Sequence, residues 1–230
     1  MAVRAVLLAA GRSVRMGRDK TTLRLPGETM AETLIERHVR QLRMTGIEDV
    51  IAICNPDNQA AIGVRTILQR GERMSGAVLT GLQACAGFDG CWLVCVNDIV
   101  ADTDYRRISS YPLDSNEIAI ATHTLDRAFQ GGMLHLDPAS GRIASIVEKP
   151  PGGCPPGSPA NVMIHRLQGA SIIEMLAGEL ASGIDYESAV NRLIAQGVRA
   201  LAVPMDSWIA IKTPEDYERA RNTDLIVAAR

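Results

Sequence analysis

Through the first hundred residues, apolar runs of strand length alternate with stretches whose apolar residues recur at helical spacing. A strand buried on both faces reads as a near-continuous apolar run, and parallel neighbours need a crossover between them, usually a helix. The expected fold is therefore α/β: one three-layer α/β/α domain around a mostly parallel, Rossmann-like sheet. The predicted strands are 3–10, 49–54, 64–68 and 91–97. The first helix carries Leu34, His38, Leu42 and Met44 and is expected to start at a capping box, Thr29-Met30-Ala31-Glu32. A second helix contains Thr80–Cys85.

Beyond about residue 115 the pattern changes. Residues 132–137 and 142–147 flank Pro138-Ala139-Ser140-Gly141 and predict an inserted β-hairpin. The Pro/Gly loop 150–159 follows, then a strand at 161–165, helices near 168–180 and 186–196, a strand at 200–203 and a helix at 213–221. One domain accommodates all 230 residues.

Composition removes several classes of partner. Aromatic residues make up only 3%, too little stacking surface for single-stranded nucleic acid. A net charge of −2 and a pI near 6.1 provide no field that draws polyanions, so no nucleic-acid partner is expected and any phosphate chemistry must be local. The five cysteines include no C-x-x-C pair and suggest neither a disulfide framework nor a zinc knuckle. A reducing cytoplasm fits that usage. The apolar run Val6–Ala10 is too short for a signal segment or a membrane span, so no membrane partner is expected.

The local phosphate chemistry has an obvious place. Strand one ends in Ala9-Ala10-Gly11, and Arg12-Ser13-Val14-Arg15-Met16-Gly17-Arg18-Asp19-Lys20 brings four cations into nine residues. Ligands bind at the carboxyl ends of the strands in such sheets, where small residues let backbone N–H groups approach a phosphate chain. No G-x-G-x-x-G occurs, and the Gly-Lys-Ser/Thr of a P-loop is missing. Asp98 closes the apolar fourth strand as a lone carboxylate, a hard oxygen ligand suited to Mg²⁺.

LLAAGRSVRMGRDK resembles the N-terminal signature L-A-x-G-x-G/S-x-R-M/L…K of nucleotidyltransferases with a glycosyltransferase-A-like fold. Its Ser13 and Met-Gly-x-Asp-Lys ending are most similar to the molybdopterin cytidylyl and guanylyl branch. The resemblance implies an NTP site made of Ala9, Ala10, Gly11, Arg12, Ser13, Arg15 and Lys20, with a metal-binding aspartate at Asp98. GERMSGAVLTGLQAC resembles both the methylerythritol-phosphate cytidylyltransferases and the G-T-A-G-A-L stretch of sugar nucleotidyltransferases, which adds Arg73, Ser75 and Gly76. Ile146-Val147-Glu148-Lys149-Pro150 followed by Ala160-Asn161-Val162 resembles the E-K-P and A-N-x-G-I/M-Y pattern of hexose-1-phosphate nucleotidyltransferases. That match implies that Lys149 holds the acceptor's phosphate while Glu148 and Asn161 contact its hydroxyls.

Residues 206–217 resemble W-x-D-I-x-T-P-E-D-Y, but the second metal ligand of that motif is Ala210 here. Lys212 resembles the lysine of the I-K-x-T-x-P-E-D-L ending in methylerythritol-phosphate cytidylyltransferases, which contacts the acceptor phosphate. The resemblance thus implies an NTP-binding half at 1–115, an acceptor-binding half at 116–222 and a tail at 223–230. It implies transfer of a nucleoside monophosphate from an NTP to a sugar 1-phosphate or similar metabolite, with pyrophosphate released. Arg15, Lys20, Lys149, Lys212 and Mg²⁺ would neutralise and align the two polyanions. The alternatives are a cytidylyltransferase acting on a polyol phosphate, phosphocholine or molybdopterin, and, because of Ala210, a catalytically silent nucleotide-sugar-binding protein. The base, the acceptor and the oligomeric state stay open, a homodimer included.

Overall fold

The computed structural model describes residues 2–27, 30–59 and 62–223. Its strands are β1 (Val3–Leu8), β2 (Arg24–Leu25), β3 (Glu32–Thr33), β4 (Asp49–Cys54), β5 (Arg65–Leu68), β6 (Gly90–Cys95), β7 (Asp98–Ile99), β8 (Glu117–Thr124), β9 (Gly132–Leu136), β10 (Ile143–Glu148), β11 (Pro159–Gln168), β12 (Arg199–Pro204) and β13 (Ile209–Ala210). Its helices are α1 (Leu34–Met44), α2 (Met74–Ala84), α3 (Asp102–Ser110), α4 (Ala170–Ala181), α5 (Tyr186–Ala195) and α6 (Pro214–Asn222).

The main sheet runs β5-β4-β1-β6-β11-β8-β12, and the β9–β10 hairpin joins the amino end of β11. Every strand of that path is parallel to β1 except β11, which lies antiparallel between β6 and β8. Alternate residues of each strand supply opposite faces. Val6, Leu8, Ile51, Ile53 and Leu93 pack under α2, α4 and α5. Ala5, Leu7, Ala52, Trp92 and Val94 pack under α1 and α3. The expected three layers and inserted hairpin are therefore present. None of the helices among the described residues is long and apolar enough to cross a membrane.

Several boundaries differ from the sequence reading, each for a local reason. β1 stops at Leu8, so Ala9 and Ala10 belong to the loop, although the Ala9 N–H still donates to the Ile53 carbonyl at 2.9 Å. β6 stops at Cys95, and Asp98 sits in the separate ribbon β7–β13. The capping box of α1 is Thr33–Glu36, one turn later than expected: Glu36 N donates to Thr33 Oγ1 at 3.1 Å and Thr33 N to Glu36 Oε2 at 2.6 Å. Glu32 instead pairs with Arg37 and Arg40, and Thr29 lies outside the described residues. α2 begins at Met74, so Ser75 and Gly76 form its first turn. The sequence reading also missed β8, α3 and the β7–β13 ribbon. Of the tail, only Thr223 is among the described residues.

Candidate active site

The carboxyl ends of the parallel strands open into a cavity of about 420 Å³ lined by Ala9, Ala10, Gly11, Arg12, Ser13, Lys20, Asn55, Gln69, Arg73 and Asn97. The loop after β1 is folded by its own backbone. Ser13 takes a left-handed conformation (φ 52°), Met16 N donates to Ser13 O at 2.9 Å, and Lys20 N donates to Ser13 Oγ at 3.2 Å. Three side-chain amides occupy carbonyl oxygens that would otherwise repel a polyphosphate. Asn58 Nδ2 donates to Ala9 O at 2.8 Å and Asn55 Nδ2 to Ala10 O at 3.1 Å. Gln69 Nε2 donates to Gly71 O at 2.6 Å and Arg73 O at 3.1 Å. The sequence reading did not pick these three residues. The Asn-Pro-Asp-Asn turn at the exit of β4 was the available signal for two of them.

Lys20 is half-buried, and that burial lowers its ammonium pKa; Asp98 opposes this while Arg15 and Lys212 add to it. Arg12 reaches across to Glu72 with an ion pair of 2.9 Å. Arg15 turns instead toward a second hollow of about 740 Å³, shared with Lys212, Ala210, Trp208 and Phe129. Ser75 and Gly76 do not line the first cavity; they border a neighbouring hollow with Leu79 and Leu180. Gly76 has a packing reason to be glycine, because a Cβ there would fall 2.2 Å from the Arg70 carbonyl oxygen.

Asp98 is buried, and Ala210 faces it directly in the β7–β13 register. Burial raises the Asp98 pKa, opposed by the Trp208 N–H and the charge of Lys212. Trp208 Nε1 donates to Asp98 Oδ1 at 2.8 Å, and the Met163 backbone and the Cys95 thiol also hydrogen-bond the carboxylate. Among the described residues no group of three His, Cys, Asp or Glu is placed to hold a metal. The donor set still fits Mg²⁺, which commonly keeps several waters and binds through one or two carboxylates plus substrate phosphates. Lys212 Nζ donates to Gln130 O at 2.9 Å, which ties the C-terminal ribbon to the approach of the hairpin.

The third group lies at the hairpin. Lys149 follows β10 in a left-handed conformation (φ 46°), its N–H donates to Gly131 O at 3.0 Å, and its Nζ pairs with Glu148 Oε1 at 3.0 Å. A Cβ at Gly132 would lie 2.9 Å from Glu148 Oε2 and 3.1 Å from Asn161 Cβ. Glycine is therefore the floor on which Glu148 and Asn161 converge. Behind it Asn161 Oδ1 meets His165 Nε2 at 2.9 Å, and His165 Nδ1 meets the Tyr186 hydroxyl at 2.6 Å. The Glu187 carboxyl is pushed up to about 7 by burial, with the charges of Glu148 and Asp185 adding to the shift.

Known proteins resemble this chain at two levels. It is 42% identical over 84 residues to a "probable molybdenum cofactor guanylyltransferase" from Opitutus terrae, a match that spans 36% of this chain and 39% of that protein. Three solved structures share the fold. A Bacillus anthracis protein provisionally assigned as a glucose-1-phosphate thymidylyltransferase superposes with a TM-score of 0.77 at 16% identity, over 96% of this chain and 94% of its own. A mannose-1-phosphate geranyltransferase from Thermus thermophilus gives 0.70 at 21% identity, over 97% and 80%. A UTP-bound UGPase from Acinetobacter baumannii gives 0.69 at 19% identity, over 96% and 92%. The model of the MobA-like NTP transferase domain matches residues 5–177, and the chain belongs to that family of NTP transferase domains.

Proposed function

We propose that the protein transfers a nucleoside monophosphate from an NTP to a small phosphorylated acceptor of the sugar 1-phosphate kind. The observation that carries this reading is the cradle of Glu148 and Asn161 over Gly132, with Lys149 beside it. A carboxylate and an amide converging on a floor without a side chain suit a hydroxylated group, and the adjacent ammonium suits its phosphate.

In the step itself an acceptor phosphate oxygen attacks the α-phosphorus in line. A new P–O bond forms, the bond to the bridging oxygen of the α–β linkage breaks, and pyrophosphate leaves with that electron pair. An ionised phosphate oxygen is already a nucleophile, so no general base is required. The loop of residues 10–13 holds the triphosphate through N–H groups, and Lys20 supplies charge inside the cavity, where the lower dielectric strengthens its attraction to phosphate. Lys149 aligns the acceptor phosphate, while Arg15 and Lys212 line the hollow next to Asp98's partner strand. Mg²⁺ held by Asp98 would supply charge neutralisation on the polyphosphate. Trp208 fixes the Asp98 carboxylate, which spares reorganisation when the ion arrives.

The match to the Opitutus protein favours a second reading, a guanylyltransferase acting on a molybdopterin-type acceptor. A pyrophosphate-release screen of the common NTPs against sugar phosphates, polyol phosphates, phosphocholine and molybdopterin separates the readings. Release with a sugar 1-phosphate supports the first. Release with molybdopterin alone replaces it by the second, and tight nucleotide-sugar binding without release from any pair marks a silent binding protein.

A further inference from the structure

β11 carries an irregularity that only its pairing reveals. Asn161 is opposite Thr122 of β8 and His165 is opposite Ile120, so four steps along β11 correspond to two along β8. In a regular strand, residues four apart are separated by about 13 Å. Here the two extra residues arch out of the ladder, and the Asn161 and His165 side chains meet at 2.9 Å. A bulge that re-aims side chains directly beside a binding cradle invites a functional explanation.

We propose that Tyr186 and His165 are positioning residues that lock the Asn161 amide with its nitrogen toward the acceptor cradle, so that the cradle selects a hydroxyl group. The proposal rests on the reading of Glu148 and Asn161 as the acceptor site, and it adds the direction of each hydrogen bond.

His165 is fully buried and Tyr186 only 1% exposed. Burial holds the imidazole neutral, with a pKa of about 3, so a single ring nitrogen carries hydrogen. With Asn161 Oδ1 as the partner of Nε2, that nitrogen is the donor. Nδ1 is then an acceptor, and the Tyr186 O–H donates to it. In this arrangement the chain runs one way, from tyrosine hydroxyl through imidazole to amide oxygen, with the Val162 backbone also hydrogen-bonded to the ring.

The far end of the amide decides the specificity. The position that a Cβ of Gly132 would occupy is 2.9 Å from Glu148 Oε2 and 3.3 Å from Asn161 Nδ2, so these two atoms border the same point. An amide nitrogen is a favourable neighbour for a carboxylate, whereas an amide oxygen would repel it. The cradle thus offers one acceptor and one donor side by side. A hydroxyl satisfies both, by donating to Glu148 and accepting from Asn161. A deoxy analogue leaves both unpaired, and a site built to hydrogen-bond a hydroxyl discriminates strongly against its absence.

Long-range ¹H–¹⁵N spectra of the full-length, ¹⁵N-labelled protein read the histidine tautomer without any ligand. The expected result is the Nε2–H form of His165 and two separate, slowly exchanging Asn161 amide protons. Tyr186→Phe should then weaken the tautomer bias and narrow the separation of those amide signals. With the sugar phosphate that the pyrophosphate screen selects, Tyr186→Phe should raise the acceptor KM about three- to tenfold, the cost of one neutral hydrogen bond. The NTP KM and kcat should stay unchanged, and the penalty for a deoxy acceptor should shrink. An Nδ1–H tautomer in the unmodified protein overturns the proposal, as does a Tyr186→Phe variant with unaltered acceptor KM or equal damage to both substrates. A screen in which no hydroxylated phosphate reacts overturns the acceptor reading instead, and the tautomer measurement still judges the relay. Since that measurement uses the unmodified chain, a poorly folding variant does not remove the test.

Discussion

Each half of the molecule buries one histidine against one tyrosine, and the two pairs end on different things. In the first half His38 Nδ1 lies 2.7 Å from the Tyr105 hydroxyl and Nε2 lies 3.4 Å from the Val96 carbonyl oxygen. In the second, His165 lies 2.6 Å from Tyr186 and 2.9 Å from the Asn161 side chain. Burial holds both imidazoles neutral, with pKa values of about 3. One relay braces main chain just before Asp98, whereas the other aims a side chain at the cradle.

The same division runs through the rest of the site. Around the first cavity, Asn55, Asn58 and Gln69 bind carbonyl oxygens, and the lining offers the loop backbone and the cations Arg12, Lys20 and Arg73. At the cradle, the backbone retreats to a bare glycine on which two side chains converge, and in the proposed function these two do the selecting. A triphosphate is common to all NTPs and can be held by a generic loop. An acceptor has to be told from its isomers, which takes directional groups.

The largest expected effect lies where the halves meet. Asp98→Asn preserves shape and the hydrogen bond from Trp208 but removes the charge, and kcat should fall on the order of 10²–10³-fold with little change in Tm. Metal-dependent turnover close to normal in the folded variant would take Asp98 out of the mechanism.

The next test addresses the division itself. Lys20→Ala should raise the NTP KM and lower kcat on the order of 10²-fold, while Lys149→Ala should act mainly on the acceptor KM. Initial-rate measurements with each substrate varied in turn give the answer. If both variants showed the same defect toward NTP and none toward acceptor, the two-sided description would fail.

How far the sequence discloses these regions follows from the range of the interactions. The loop 9–20 is local, and its glycines and cations are legible because a strand end, a turn and a charge cluster all fall within one short segment. The hairpin is equally local, and its expected bounds agree with β9 and β10 within a residue. Glu148, Lys149 and Asn161 could be picked because two short motifs flank one loop. What could not be read is register. The insertion of β11 between β6 and β8, its bulge, and the pairing of Asp98 with Ala210 join residues far apart in the chain. β8 was missed although it is buried over six consecutive residues, since the apolar run Glu117–Thr124 opens with an acid and closes with polar residues. Gly76 shows the converse: a glycine at a motif position is equally explained by a close backbone contact.

A smaller effect is expected at the ribbon. Ala210 faces Asp98, so Ala210→Asp places a second carboxylate beside the first, with Lys212 two residues further on. Lys212 is anchored to the Gln130 carbonyl, and its charge already acts on Asp98. The new acid should draw on that charge and slow the reaction, and Lys212→Ala should cost on the order of 10-fold in kcat. Faster turnover and tighter Mg²⁺ dependence in Ala210→Asp, with full activity in Lys212→Ala, would instead favour a two-carboxylate metal site.

The histidines give the smallest and most symmetrical test. Each imidazole stays neutral in the fold down to about pH 3 but takes its proton near 6.5 once the chain unfolds. Its contribution to stability is therefore complete above pH 6.5 and is lost progressively as pH falls toward 3. Glu187, raised to about 7, works in the opposite sense, so the informative quantity is the difference between variant and wild type rather than the slope of either alone. His38→Gln and His165→Gln should each reduce the dependence of unfolding free energy on pH between 6 and 4.5 by about 1.4 kcal/mol per unit, read from urea titrations. For stability the two substitutions should look alike. In kinetics they should part, with the acceptor KM rising in His165→Gln and staying level in His38→Gln. Equal kinetic behaviour of the two variants would show that the second relay, like the first, is only a brace.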